Sequence, residues 1–434
     1  MTVDLTLLSW IIFAVVAYYT SLFCLSMFRR RPPATEDRPL MVVLVPAHNE
    51  ELVLDSTLAA LSTLDYAGEH RVLVVDDAST DRTAEIARTW VERDPRIRLS
   101  QRVLPEAAQG KSEVLNHAYR LLRGWLAAGD PWVGDASADD TIVVIVDADG
   151  QLGPGALDHV GPYFADPRVA SVQIGVRIAN AKTNLLARMQ DIEFVGFSWL
   201  VQIARDWIGS SGLGGNGQFT RLSALADLGD EPWQRGALTE DLDLGLRIVA
   251  LGWRTRFCHL TYVAQQGLTA WRPLIRQRTR WIQGHYQCWR YLRPLLTARR
   301  APLGARIDLS LYLVMVVTVL LVSFTVAIGI LGAAGVIGVS NDFLTWLPDG
   351  APRRAANLVL SALPLVIFMS TYQRYSAHPF RWYEVVVGGV LFTAYGYVWL
   401  WVSLKALWRL ASGQNGWVKT PRVALDAAVE QGGA

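Results

Sequence analysis

Lysine is scarce in this 434-residue chain: Lys and Arg total 41, and the only lysines are Lys111, Lys182, Lys405 and Lys419. A lysine inside a motif therefore carries weight. Cysteine is scarcer still. Cys24, Cys258 and Cys288 are scattered with no CxxC spacing, which excludes a disulfide framework and a thiolate zinc site. Charged residues make up only 18% and net charge is +2, so nucleic acid is excluded as a bulk electrostatic partner. Neither GxGxxG nor GxxxxGK[ST] occurs, which removes the main support for dinucleotide and P-loop readings. Apolar residues are abundant: 51% of the chain is hydrophobic, mean hydropathy is +0.22, and there are 17 Trp. That composition excludes disorder, and so many Trp suit a membrane–water boundary.

Positions 5–28 are 24 residues without a charge, about 36 Å as a helix and enough to cross a bilayer. The stretch is too long for a signal-peptide core and has no A-x-A cleavage site. Arg29, Arg30 and Arg31 follow, so positive-inside reasoning places the N-terminus outside and the next segment in the cytoplasm. Uncharged runs of 33, 19 and 20 residues at 309–341, 355–373 and 385–404 predict three further spans. Four spans put the tail outside, whereas Lys405, Arg409, Lys419 and Arg422 require it inside. Two solutions stay open. The first run, with Gly329, Gly332 and Gly335, folds as a hairpin, or the Trp-rich last run lies in the interface. The expected organisation is a transmembrane helix over 1–30, a linker over 31–39 and a cytoplasmic domain over 40–268. Interfacial helices follow over 269–304, a membrane region over 305–407 and a cytoplasmic tail over 408–434.

Within the domain, 40–46, 71–75 and 141–146 are short Val/Ile-rich runs that read as strands buried on both faces. Helical patterns over 50–63, 80–93 and 110–127 separate them, which predicts a Rossmann-like α/β domain with a parallel sheet. Ligands bind at the carboxyl ends of such strands. There the sequence places His48-Asn49-Glu50, Asp76-Asp77 and Asp147-Ala148-Asp149. Acids from three strands at one edge repel one another unless a cation sits among them, and Asp-x-Asp suits a hard divalent ion that also holds phosphates. The plain alternative is a set of helix N-caps.

Further on, Thr239 is a candidate N-cap that puts Glu240 and Asp241 in the first turn of a helix closing near Gly252. A carboxylate held there can accept a proton from a hydroxyl, or it can simply balance the helix dipole. Gln277, Arg280 and Trp281 lie at i, i+3 and i+4, on one helix face. An amide, a guanidinium and an indole together make a phosphate clamp beside a platform for a sugar ring. An interfacial helix would explain the composition of 271–293 but not that shared face. Gly212 to Gln218 is a Gly-rich loop suited to close backbone approach. Helix 184–208, with Phe194, Phe197, Trp199 and Trp207, lies either on the membrane or in the core.

Val-Pro-Ala-His-Asn-Glu (45–50), Asp76-Asp77, Asp147-Ala148-Asp149, Thr239-Glu240-Asp241 and Gln277-x-x-Arg280-Trp281 occur in the order of the family 2 inverting glycosyltransferases. From residue 1 to about 422 the chain resembles their membrane-embedded processive branch, the cellulose, chitin, hyaluronan and poly-N-acetylglucosamine synthases. The resemblance implies a GT-A fold inserted between transmembrane helices, a UDP-sugar donor and Mg²⁺ or Mn²⁺. It implies Glu50, Asp76, Asp77 and Lys111 on the nucleotide side, Asp147 at the nucleotide and metal, and Asp149 at the metal. It implies Asp241 as general base beside Glu240, Gln277 and Arg280 on the diphosphate, and Trp281 under the acceptor. Trp417, Thr420 and Arg422 are similar to the family's gating loop, although Pro421 departs from it; a solvated basic tail is the alternative. The expected activity is inverting transfer to a growing β-linked polysaccharide at the plasma membrane, with room for accessory export subunits. The alternative is a glycolipid synthase that moves one sugar onto diacylglycerol or a polyprenyl phosphate, since Gly215-Asn216-Gly217-Gln218-Phe219 resembles some bacterial β-glucosyldiacylglycerol synthases. A non-catalytic membrane transporter or scaffold is disfavoured because no acid is missing from the motif series.

Overall fold

The structure, a computed structural model, describes residues 2–32 and 34–414. The proposed gating residues Trp417, Thr420 and Arg422 lie outside the described residues.

The predicted runs form strands β1 (Leu40–Ala47), β2 (His70–Asp77) and β4 (Thr141–Ile145), joined in chain order by β3 (Ile97–Arg102). Strands β5 (Gln151–Leu152), β6 (Val169–Ile178), β7 (Gln218–Arg221) and β8 (Arg254–Gln265) complete one eight-stranded sheet of order β3-β2-β1-β4-β7-β6-β8-β5. The half from β3 to β4 is parallel, as expected. The other half is mixed: β7 runs antiparallel to both β4 and β6. Alternate residues of β1 serve opposite cores. Met41, Val43 and Val45 pack with α2 (Leu54–Ser62) and α3 (Thr83–Arg93). Leu40, Val42 and Leu44 pack with α4 (Lys111–Ala128) and, further along the sequence, α6 (Glu240–Ala250). Burial on both faces is why these strands read as unbroken apolar runs. Because β1, β2 and β4 are parallel, their acid-bearing ends share one edge.

The 184–208 segment is a continuous helical stretch: α5 (Leu185–Gly196), a π-helical turn (Phe197–Gln202) and a last turn (Ile203–Ile208). It packs against α1 (Thr6–Ser26) through Leu200, Val201 and Ala204. The interfacial segment with Gln277 is α7 (Trp271–Gln287).

Helices α1, α8 (Leu303–Ala333) and α10 (Glu384–Ala411) are long and apolar enough to cross a membrane. The helix between the last two, α9 (Ala351–Tyr375), bends by 41° near Leu360. Pro364 removes an N–H and crowds the carbonyl four residues back, which is Leu360. A buried ion pair, Arg205–Asp308 at 3.0 Å, ties the domain to α8. Ser210 Oγ donates to the same carboxylate at 2.9 Å, and the Tyr18 hydroxyl of α1 joins it.

The last apolar run has a revealing placement. Its start, at Glu384 and Gly388, faces Asn184 and Arg188 of the domain. Tyr395, midway, donates to Glu193 of α5 at 2.8 Å. Val402 and Ala406 pack on Ile282 and Tyr286 of α7, and Gln283 donates to the Gln414 carbonyl at 2.7 Å. Both ends of α10 thus lie on the globular part. At the opposite end of α1 and α8, Thr2–Asp4 pairs with Gly338–Ser340.

Candidate active site

A cavity of about 1100 Å³ opens at the shared strand edge and continues between α1, α8, α9 and α10. Its polar end is lined by Glu50, Asp77, Lys111, Asp147, Glu240 and Asp241, with Gln277, Arg280 and Trp281 beside them. Residues from five separate motifs therefore converge.

Lys111 is central. It opens α4 after Gly110, and its Nζ lies 2.6 Å from Asp147 Oδ1, 3.6 Å from Glu240 Oε1 and 3.2 Å from the Gly215 carbonyl. Burial disfavours its charge, but Asp147 and Glu240 outweigh that and hold its pKa above the ordinary lysine range. Asp241 moves the other way: burial and the neighbouring Glu240 carboxylate raise its pKa, only partly opposed by Lys111 and Arg280. A carboxyl poised there suits a general base.

The strand-end acids are not left to repel one another. Asp77 pairs with Arg102 at 2.5 Å, and Asp147 pairs with Lys111. Asp76 and Asp149 are buried beside them on the same strand ends. Gln101 Nε2 and the Ser79 N–H, both at 3.2 Å, donate to Asp76. The Gln266 N–H donates to Asp149 at 3.3 Å. Protein cations thus offset two of the acids, Asp77 and Asp147, while Asp76 and Asp149 receive only neutral N–H donors. Among the described residues no three His, Cys, Asp or Glu side chains gather as a protein-only metal cage. Asp147 and Asp149 form an all-oxygen donor pair, which fits Mg²⁺ or Mn²⁺ only if phosphate oxygens or water complete the shell.

Thr239 occupies the N-cap position of α6 but makes no side-chain cap bond, so the expected cap is corrected. Its hydroxyl packs on α7 instead. A Cβ at Gly284 would sit 2.5 Å from Thr239 Oγ1 and 2.9 Å from Thr239 N, so Gly284 is what lets α7 cross the Thr239 loop. Gln277, Arg280 and Trp281 do share a face toward the cavity, and Arg280 Nη1 donates to the Leu238 carbonyl at 2.7 Å. The Gly-rich loop is an active-site wall. Gly215 has φ +70°, and a Cβ there would lie 3.2 Å from Asp241 Oδ2.

Two residues that sequence reasoning passed over, Gln173 and Gln202, hold this wall together with Asn216 of the loop itself. Gln173 donates to the Asn216 carbonyl at 2.8 Å and accepts from the Gly214 N–H at 2.9 Å. Gln202 brackets Gly212, donating at 2.7 Å and accepting at 2.9 Å. Asn216 Oδ1 accepts from the Asp147 N–H at 3.1 Å, which ties the loop to the acid strand end. The only sequence signal of Gln173 and Gln202 was an amide flanked by apolar residues.

The family described as glycosyltransferase like family 2 matches residues 39–284, the segment that builds this cavity's polar end. The chain belongs to that family. Among its relatives, β-monoglucosyldiacylglycerol synthase of Nostoc sp. is 33% identical over 255 residues, 58% of this chain and 50% of that protein. The synthase of the same name from Synechocystis sp. is 31% identical over 320 residues, 71% and 62%. N-acetylglucosaminyltransferase of Rhizobium meliloti is 29% identical over 279 residues, 61% and 60%. The chain thus spans about half to three fifths of the length of these relatives. A solved mannosyltransferase from Pyrobaculum calidifontis, in complex with GDP-Man and Mn²⁺, is similar with TM-score 0.60 and 20% identity, over 92% of this chain and 97% of that one. At that identity the likeness shows the fold, a GT-A glycosyltransferase domain. The comparisons favour the glycolipid alternative over the polysaccharide expectation.

Proposed function

We propose that this family 2 glycosyltransferase transfers one sugar from a nucleotide-sugar, UDP-linked by the family's usual preference, to a hydroxyl of a membrane lipid, with inversion at the anomeric carbon. The observation that carries the lipid acceptor is the shape of the cavity. Beyond Trp281 it is walled by Phe23, Phe197, Val201, Met315, Val319 and Phe368, an apolar lining suited to acyl chains rather than to a hydrated glycan.

In this reading Glu50, Asp76 and Asp77 stand on the nucleoside side. Lys111, Gln277 and Arg280 face the diphosphate. Asp147 and Asp149 would hold Mg²⁺ or Mn²⁺, which supplies neutralisation of charge on the departing nucleotide. The acceptor hydroxyl rests against Trp281 and donates to Asp241. Asp241 takes its proton as the oxygen bonds to the anomeric carbon and the bond to the nucleotide diphosphate breaks. Lys111 and Arg280 meet the charge that develops on the leaving group. Glu240, drawn to Lys111, raises the basicity of Asp241.

Helices α1, α8 and α9 cross the membrane, with the domain on the cytoplasmic side beside Arg29, Arg30 and Arg31. Helix α10 lies along the interface, its Val386, Val390, Trp401 and Trp408 exposed toward lipid. That arrangement returns the chain to the cytoplasmic side and satisfies the charge of the tail. The test is product size. Purified protein given radiolabelled nucleotide-sugar and lipid micelles should yield a single lipid-soluble product. Polymer retained at the top of a gel would instead establish the processive activity.

A further inference from the structure

The two ends of the cavity differ electrically. Its lining cations, Lys111 and Arg280, are both at the nucleotide end. Among the described residues, no Lys or Arg lines the apolar half, and the charged side chain there is Glu193. Glu193 sits on α5 and is 20% exposed in its side chain. Its Oε2 accepts from Arg278 Nη2 at 3.0 Å and from the Tyr395 hydroxyl at 2.8 Å. Both bonds fall on one oxygen, and Oε1 takes no hydrogen bond among the described residues. Arg278 is fully buried, and its guanidinium lies 4.0 Å over the Trp281 ring. One cation thus fixes both the indole and the carboxylate beside it.

Glu193 is ion-paired with Arg278 through Oε2, and a carboxylate oxygen such as Oε1 accepts hydrogen bonds. Its natural partner is a hydroxyl, and a phosphate placed there would meet a carboxylate whose neighbouring cation, Arg278, is already paired with it. The reacting hydroxyl is engaged by Asp241, so the hydroxyl that Glu193 reads is a second one. Resting on the lipid-acceptor reading above, we propose that Glu193 is an acceptor-binding residue that selects an uncharged lipid whose head carries at least two hydroxyls. Monoacylglycerols and glycosylated glycerolipids belong to this class; lipid phosphates do not. Arg278 and Tyr395 are its positioning residues.

The test uses the full chain in mixed micelles with monooleoylglycerol, monoglucosyl-dioleoylglycerol, dioleoylglycerol or polyprenyl phosphate as acceptor. The wild type should favour the first two over dioleoylglycerol in kcat/KM by about tenfold or more, the scale of a hydrogen bond to a charged group. It should form no product with polyprenyl phosphate. Glu193→Gln should raise KM for the two-hydroxyl lipids by about tenfold and erase the preference. UDP binding and the thermal midpoint report whether that variant folds. If it does not, Tyr395→Phe, which frees one bond on Oε2, should raise the same KM by about threefold, within the range of a single hydrogen bond. Equal use of dioleoylglycerol or polyprenyl phosphate by the wild type would overturn the proposal while leaving the lipid reading intact. So would an unchanged KM in the folded variant. UDP release with no lipid product from any acceptor would overturn the lipid reading and this proposal together.

Discussion

At the scale of single residues, the account turns on a carboxyl that has lost the acidity of an ordinary aspartate. Burial and Glu240 raise the pKa of Asp241 from 3.8 to about 7. A base works only when deprotonated, so kcat/KM should rise with pH up to about 7 and flatten above it. A profile already flat from pH 5 upward would contradict the role. Asp241→Asn should cut transfer by about 10²–10⁴-fold, the usual contribution of a general base, with UDP affinity nearly unchanged by calorimetry. The motif residues were legible because their chemistry is local: Asp147-x-Asp149 ends a strand, and Gln277, Arg280 and Trp281 share a helix face by spacing alone. Their partners were not. Nothing in the sequence joins Arg102 to Asp77 or Lys111 to Glu240, since both pairings need the sheet to close first. Glu193, Gln173 and Gln202 were missed for the same reason.

At the scale of elements, the site depends on α7 crossing close to the Thr239 loop. Gly284→Ala places a methyl group against Thr239 Oγ1 and the Thr239 backbone nitrogen. We expect a loss of about 1–3 kcal/mol in stability, as for an overpacked core, together with lower turnover. Thermal melts and steady-state rates check it; an unaltered melt with full activity would mean that α7 adjusts freely. The parallel strands β1, β2 and β4 were legible because burial on both faces leaves unbroken Val/Ile runs. Strand β7, Gln218–Arg221, was not legible: its four residues show no apolar run, and it forms only by pairing antiparallel with β4 and β6.

At the scale of the whole molecule, apolar length alone could not tell a crossing helix from one lying along the interface. The 20-residue run at 385–404 satisfies either, and tertiary contacts at both ends of α10 favour the second. In a background without native cysteines, Asp342→Cys should react with an impermeant maleimide from outside intact cells. Ser412→Cys should react only after the cells are opened. Labelling of both from the same side would break the arrangement.

The central claim is direct attack by a lipid hydroxyl whose proton Asp241 removes. Its most direct measurement is the anomeric configuration of the glycolipid made from an α-linked nucleotide-sugar, read by proton NMR coupling. A β-linked product, lost in Asp241→Asn, is the predicted result; an α-linked product would contradict it.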